Sequence, residues 1–449
     1  MMRTLIAGLG IAVALAAPRP VYSQTLDQPP TAPRVIALRA ARMLDVRSGA
    51  IIRDPVVVVD QGRIVAAGTG VPVPPGATII ELGNVLLLPG LIDSHTHLLQ
   101  NYRPGLGGDD PNMLLTVATM SPARRALLGV AMGREDLEAG ITTVRDLGNS
   151  GWNGDVALRD AIAAGWVVGP RIFASTRALS AAGGQFGGLT PEAQTLLAQE
   201  YVVISGVEEA RRAVRQAFYD GADLIKVIVN TGPRVVSLDE MKVIVDEAHR
   251  VGKRVAAHAT TDMATRIAAE AGVNSIEHAY TISDDALRMM AEKKIFLVPT
   301  DYPADFYVTA FGPTTGSAAD QQRQLAGAKL SVARAMDRVN RAIRLGVRIA
   351  YGSDEYYDVG GRTRGQASLL TLQAYQDDGL APLDVIRAAT MNAADLLGWG
   401  DRLGAIEPGK LADIIAVAGD PLTDVKDLQL VRFVMKYGTI VRNDANGVK

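Results

Sequence analysis

From about residue 91 to about residue 400, short apolar runs alternate with longer segments that carry apolar residues at helical spacing. The runs fall at 142–144, 172–174, 224–229, 255–257, 275–277, 296–299 and 348–351, and segment 238–251 typifies what lies between them. Strand and helix in repeated alternation build parallel strands with helices covering them. Eight such units close into a barrel, and all strand C-termini then meet at one face, where active sites lie. The predicted fold class is α/β, a distorted TIM (β/α)8 barrel.

The flanks read differently. Short β-branched runs occur at 35–38, 51–52, 56–59 and 64–67, with Asp60-Gln61-Gly62 as a turn, and 86–88 ends the block before Pro89-Gly90. After Gly404, β character returns at 412–418 and 431–441. The economical arrangement is one small β-sandwich built from both termini, with the barrel inserted. The N-terminus has Arg3, an apolar stretch over 4–17, and small or apolar residues before Gln24, which reads as a cleavable signal peptide. That stretch is short for a membrane span, which needs ~20 apolar residues. The expected organisation is a signal peptide (1–23), the first part of the β-sandwich (24–86, opening with the Pro-rich stretch 29–33), a catalytic barrel (87–403) and the second part of the β-sandwich (404–449). A secreted or periplasmic location follows, with no stable membrane insertion.

Composition narrows the chemistry. The net charge of -2, with no basic run interleaved with aromatics, argues against a nucleic-acid partner. The chain has no cysteine, which removes disulfides, thiolate zinc ligands and a Cys nucleophile together. No G-x-S-x-G elbow is present.

Four of the five histidines fall at strand ends. His95 and His97, in Asp93-Ser94-His95-Thr96-His97, follow an apolar run and share a face because strand side chains repeat every second residue. His258 and His278 follow the runs at 255–257 and 275–277. In a barrel these four could share one metal site. His249 stands late in a helical segment, where a surface position is expected.

Lys226 lies within the apolar run 224–229. Burial depresses a lysine pKa, and a neutral amine can take up carbon dioxide to form a carbamate, which can bridge two divalent metals. On the strand pattern alone, an unmodified lysine paired with a nearby carboxylate is the favoured reading. Asp354 ends the run after 348–351, where a carboxylate can bind metal and take a proton from water. Metal coordination lowers the pKa of that water from about 15.7 to roughly 7.

The chain resembles the amidohydrolase superfamily in Pro89-Gly90-Leu91-Ile92-Asp93-Ser94-His95-Thr96-His97, Gly140-Ile141-Thr142-Thr143-Val144-Arg145-Asp146, Lys226, His258, Glu277-His278, Gly352-Ser353-Asp354 and Glu407-Pro408-Gly409-Lys410-Leu411-Ala412-Asp413. The nearest likeness is to the imidazolonepropionase-like and prolidase-like branch, which includes dipeptidases, carboxypeptidases and ochratoxin-degrading amidases. The resemblance implies two divalent metal ions, usually Zn2+: one held by His95, His97 and Asp354, the other by His258 and His278, with N6-carboxylysine at Lys226 and a hydroxide bridging them. It implies hydrolysis of an amide or peptide bond in a dipeptide or N-acyl amino acid, ochratoxin A included, with Asp354 as proton shuttle. A homo-oligomer is expected. Two departures bear on specificity: Gly183-Gly184-Gln185 replaces the branch's Gly-Gly-His, and Asn230-Thr231-Gly232-Pro233-Arg234 replaces its Gly-Gly run.

Gln185, Arg234, Tyr280 and Tyr302 are the candidate substrate contacts, since Arg and Tyr donors suit a carboxylate. A lactonase, esterase or cyclic-amide hydrolase would use the same metals and water. A mononuclear deaminase or ring hydrolase would lack the lysine bridge. A non-catalytic secreted metal-binding protein would need no proton shuttle from Asp354.

Overall fold

A computed structural model describes residues 35–104, 109–311 and 317–445. The expected signal peptide and the Pro-rich stretch lie outside the described residues.

The apolar runs form parallel strands. Leu91–Thr96 pairs with Ile141–Asp146, which pairs with Arg171–Ala174. A six-stranded sheet runs in the order Tyr201–Val203, Ala178–Ser180, Leu224–Ile228, Arg254–Ala259, Ser275–His278, Phe296–Val298, and all its pairings are parallel. Hydrogen bonds link the two sheets: Asp223 N donates to Ala174 O at 2.7 Å, and Ser94 N donates to Tyr351 O at 2.9 Å. The last of these runs, 348–351, is a single bridge between Leu297 and Ile349 rather than a strand. It is stitched on one side to Leu297 and on the other to Ser94, while Tyr351 N donates to Ala388 O at 3.0 Å.

The strands are buried on both faces because helices cover them. Leu238–Arg250 shows how sequence sets such a helix. Ser237 and Glu240 form a capping box, and Met241, Ile244, Val245 and Ala248 follow at helical spacing and are buried. In Asp262–Ala271 the inward residues are small, Ala264, Ala268 and Ala269, and the strand beneath presents Ala257 and Ala259.

The flanking segments form two further sheets. One runs Thr439–Asn443, Val431–Lys436, Ile414–Val417, Leu86–Pro89, Arg42–Leu44, Ile51–Arg53, and so interleaves strands from both ends of the chain. The other runs Arg63–Thr69, Pro55–Asp60, Ile36–Arg39, Thr78–Glu81. Leu38, Val57, Ile64, Leu87, Ile414 and Phe433 share one buried cluster drawn from both sheets. Only Gly90 separates Leu86–Pro89 from Leu91–Thr96, so this part of the molecule leads directly into the strand that carries His95.

Candidate metal centre

Parallel register brings the histidines to one rim. His258 is opposite Glu277, Ala259 opposite His278, and Lys226 opposite Ala256. From the far side Asp354 N donates to His95 O at 2.8 Å. A Cβ on Gly352 would come within 2.6 Å of the His95 Cβ, so glycine is what allows this approach. Asp93 ties the same two segments, its Oδ1 accepting from His95 N at 3.0 Å and Ser353 N at 2.9 Å. His278, Thr300 and Asp354 all take left-handed backbone, with φ of 69°, 56° and 51°. Such strain in non-glycine residues persists where the surroundings enforce it, often at functional sites.

The side chains converge. Asp354 Oδ1 lies 3.4 Å from His95 Nε2 and 3.2 Å from His97 Nε2, while Oδ2 is 3.9 Å from His278 Nδ1. Lys226 Nζ is 3.3 Å from His95 Nε2. The His258 and His278 ring centroids are 4.6 Å apart. One ligand atom each from His95, His278 and Asp354 fits within 4.8 Å, the spacing of a metal-binding group.

Hydrogen bonds fix which ring nitrogens face inward. His95 Nδ1 meets Glu277 Oε2 at 2.9 Å, and His97 Nδ1 meets the Gly148 carbonyl at 2.8 Å. Carboxylate and carbonyl oxygens accept, so each Nδ1 carries the proton and each Nε2 of the neutral ring keeps its lone pair. His278 Nδ1 meets Thr300 Oγ1 at 2.7 Å, and that hydroxyl donates to Pro299 O. Burial, reinforced by Lys226, holds His95 well below the ordinary histidine range and lowers His258 to about 3. Burial, with His258 and His95 nearby, does the same to His278.

The result is a buried carboxylate oxygen, Asp354 Oδ1, that takes no hydrogen bond. It faces the His95 lone pair with no proton between them. Two acceptors this close repel unless a cation lies among them, so the donor set fits a divalent metal. Burial pushes Lys226 down to about 8, with the Glu277 and Asp354 charges opposing a larger fall.

Behind the ligands, Arg145 Nη2 donates to Glu277 Oε1 at 2.9 Å and its Nη1 bonds Ser275 Oγ at 3.0 Å. Glu277 and Arg145 hold the site together but were not among the sequence-selected site residues. Charged residues inside apolar strands were the available signal. Tyr356, also outside that selection, stands edge-on to His97 with centroids 5.5 Å apart.

A cavity of about 760 Å³ opens over the cluster, lined by all four of these histidines, Lys226 and Asp354. Of the candidate substrate contacts, Gln185, Tyr280 and Tyr302 line it. Gln185 accepts from Tyr201 Oη at 2.9 Å, and Tyr302 Oη donates to the Asp354 carbonyl at 2.5 Å. Arg234 is outside the lining: it donates to Ala182 O and Phe186 O at 3.0 and 2.8 Å. His249 is exposed on its helix and bonds Asn274 at 2.9 Å.

Imidazoles and a carboxylate gathered at the rim of parallel strands, beneath a small-molecule-sized cavity, define a hydrolytic enzyme with a candidate metal centre. The chain belongs to the amidohydrolase family, which it matches over residues 86–441. It is 31% identical to ochratoxinase from Aspergillus niger over 397 residues, covering 81% of this chain and 77% of that protein. It is 28% identical to imidazolonepropionase from Symbiobacterium thermophilum, covering 85% of this chain and 87% of that one. The solved structure of a Xaa-Pro dipeptidase with bound methionine superposes with a TM-score of 0.76 at 28% identity, covering 91% of this chain and all of that one. These likenesses give the chain a TIM-barrel-like α/β fold and make it a hydrolase acting on amide bonds. No helix among the described residues is long and apolar enough to cross a membrane.

Proposed function

We propose that the protein is a binuclear metal-dependent amidase that cleaves dipeptides or N-acyl amino acids. The observation that carries this is the unpartnered Asp354 Oδ1 set among His95, His97 and His278. His95, His97 and Asp354 would hold one ion, and His258 and His278 a second, with Lys226 as carbamate between them. Nitrogen and oxygen donors without sulfur suit zinc. The hydrogen bonds that run from Leu91–Thr96 round to Tyr351 and back to Ser94 support a closed, distorted (β/α)8 barrel. The interleaved terminal strands and their common core support a β-sandwich built from both ends of the chain, reaching through Leu86–Pro89, around a barrel that begins at Leu91. The N-terminal stretch read as a signal peptide supports a location outside the cytoplasm.

Bound divalent metals supply an acidified water and polarise the scissile carbonyl. The chain does the rest. Tyr302 and the His95 carbonyl pin the Asp354 backbone on both sides, so its carboxylate is aimed before substrate arrives. Asp354 is anionic at neutral pH and takes a proton at its carboxylate oxygen, then gives it to the leaving nitrogen. Tyr356 and Tyr280 wall the cavity above the histidines.

The test couples metal analysis with a screen of dipeptides and N-acyl amino acids, each with and without chelator. Two metals per chain and chelator-sensitive amide cleavage are expected. Asp354→Asn should lower kcat by about 10²- to 10⁴-fold. Activity that survives chelation, or an Asp354→Asn variant with full activity, overturns the mechanism.

A further inference from the structure

The long helix Ala318–Arg344 brings Arg334 and Arg338 to the cavity wall. They are four residues apart, so both leave the same helix face. Arg338 is buried, ion-paired to Asp301, and lies 5.7 Å from the Tyr280 ring centroid. The Tyr280 ring in turn stands 5.4 Å from that of His278, which puts Arg338 beside the histidine cluster. Arg334 is exposed, and its guanidinium has no hydrogen bond or ion pair among the described residues.

The charges do not balance. Asp301 answers one guanidinium. The neighbouring Asp378 adds no second anion, because burial and the charge of Asp301 push its carboxyl up to about 9. Arg338 and Asp301 answer each other, and Arg334 on the same wall has no anion paired with it among the described residues. Much of the remaining lining is uncharged, including Tyr102, Met113, Leu147 and Tyr356. A guanidinium open to a cavity matches a planar carboxylate through two parallel N–H···O bonds, which a neutral amide cannot match in strength.

We propose that Arg334 is the residue that recognises the substrate's carboxylate, with Arg338, clamped by Asp301, as the positioning residue behind it. This deepens the reading of the site as an amidase and rests on it for the identity of the substrate. It also moves the recognition of the anion from the loop after Leu224–Ile228, where Arg234 was expected to supply it, to the long helix.

The probes are N-acetyl-L-phenylalanine and N-acetyl-L-phenylalaninamide, compared on the metal-loaded protein by calorimetric binding and by acetate release. The wild type should favour the acid over the amide by about 10- to 100-fold. Arg334→Gln should bring that ratio close to one, through KM rather than kcat, and Arg334→Lys should keep part of it. A wild type with no preference for the acid, or an Arg334→Gln variant that retains the preference, overturns the proposal. If the acid binds preferentially through Arg334 but no amide is cleaved, the amidase reading falls and the recognition site stands. If amides are cleaved and the preference survives Arg334→Gln, the reverse holds.

Discussion

Glu277 holds His95 from a strand 182 residues further along the chain, through a 2.9 Å contact between Oε2 and Nδ1. The same carboxylate is fixed by Arg145, itself only 2% exposed. The pair thus sets both the tautomer and the angle of an inward-facing imidazole. A partner of this kind raises the basicity of the ligand nitrogen and keeps the ring from rotating.

Glu277→Gln removes the charge but keeps the shape. Metal affinity should fall by about 10- to 100-fold, while KM for substrate at saturating metal stays near the wild-type value. Competition with a chromophoric chelator measures the first and steady-state kinetics the second. Unchanged affinity would mean that Glu277 only balances the buried Arg145.

The gathering of four histidines was legible because each follows an apolar run, and parallel strands all end at one rim. That rule covers His95, His97, His258 and His278; Lys226 lies inside its run and Asp354 beyond one, and it was the family resemblance that joined them to the set. Arg334 and Arg338 were not legible. Charged residues four apart on a long helix look like any solvated face, and only tertiary packing turns that face into a cavity wall. Arg234 was misleading for a related reason. The chain after Leu224–Ile228 folds back as a short ladder, Asn230–Thr231 against Arg234–Val235, which carries the guanidinium to the Ala182 and Phe186 carbonyls. Short strands such as Ala178–Ser180 and Tyr201–Val203 have too few residues to show a period.

Lys226 gives a pH-dependent outcome. With its ammonium pushed down to about 8, roughly a tenth of the amine is neutral at pH 7 and more than half above pH 8. Only the neutral amine attacks carbon dioxide. Reactivation of metal-depleted protein by zinc should therefore speed up with added bicarbonate, and more at pH 8.5 than at pH 6.5. Lys226→Ala should bind one metal per chain instead of two and show no bicarbonate effect. Reactivation that ignores both bicarbonate and pH would leave the lysine unmodified.

Far from the site, Glu247 predicts how the fold responds to acid. It is 6% exposed and receives Arg211 at 2.6 Å and Arg215 at 3.0 Å, with Arg250 at 3.2 Å. The Arg215 hydrogen bond, against a smaller effect of burial, and then Arg211 lower its carboxyl from 4.5 to about 2. A carboxyl whose folded pKa is depressed contributes stability that is full above the unfolded value, and that stability is lost as pH falls through the folded value. Arg215 and Arg250 have side chains 60% and 61% exposed, so solvent screens them and the contribution should be only about 1 kcal/mol. Glu247→Gln should therefore unfold at lower denaturant concentration than the wild type at pH 7, and the gap should narrow between pH 4.5 and pH 2. A gap that stays constant with pH would assign the loss to packing of the glutamate stem rather than to its charge.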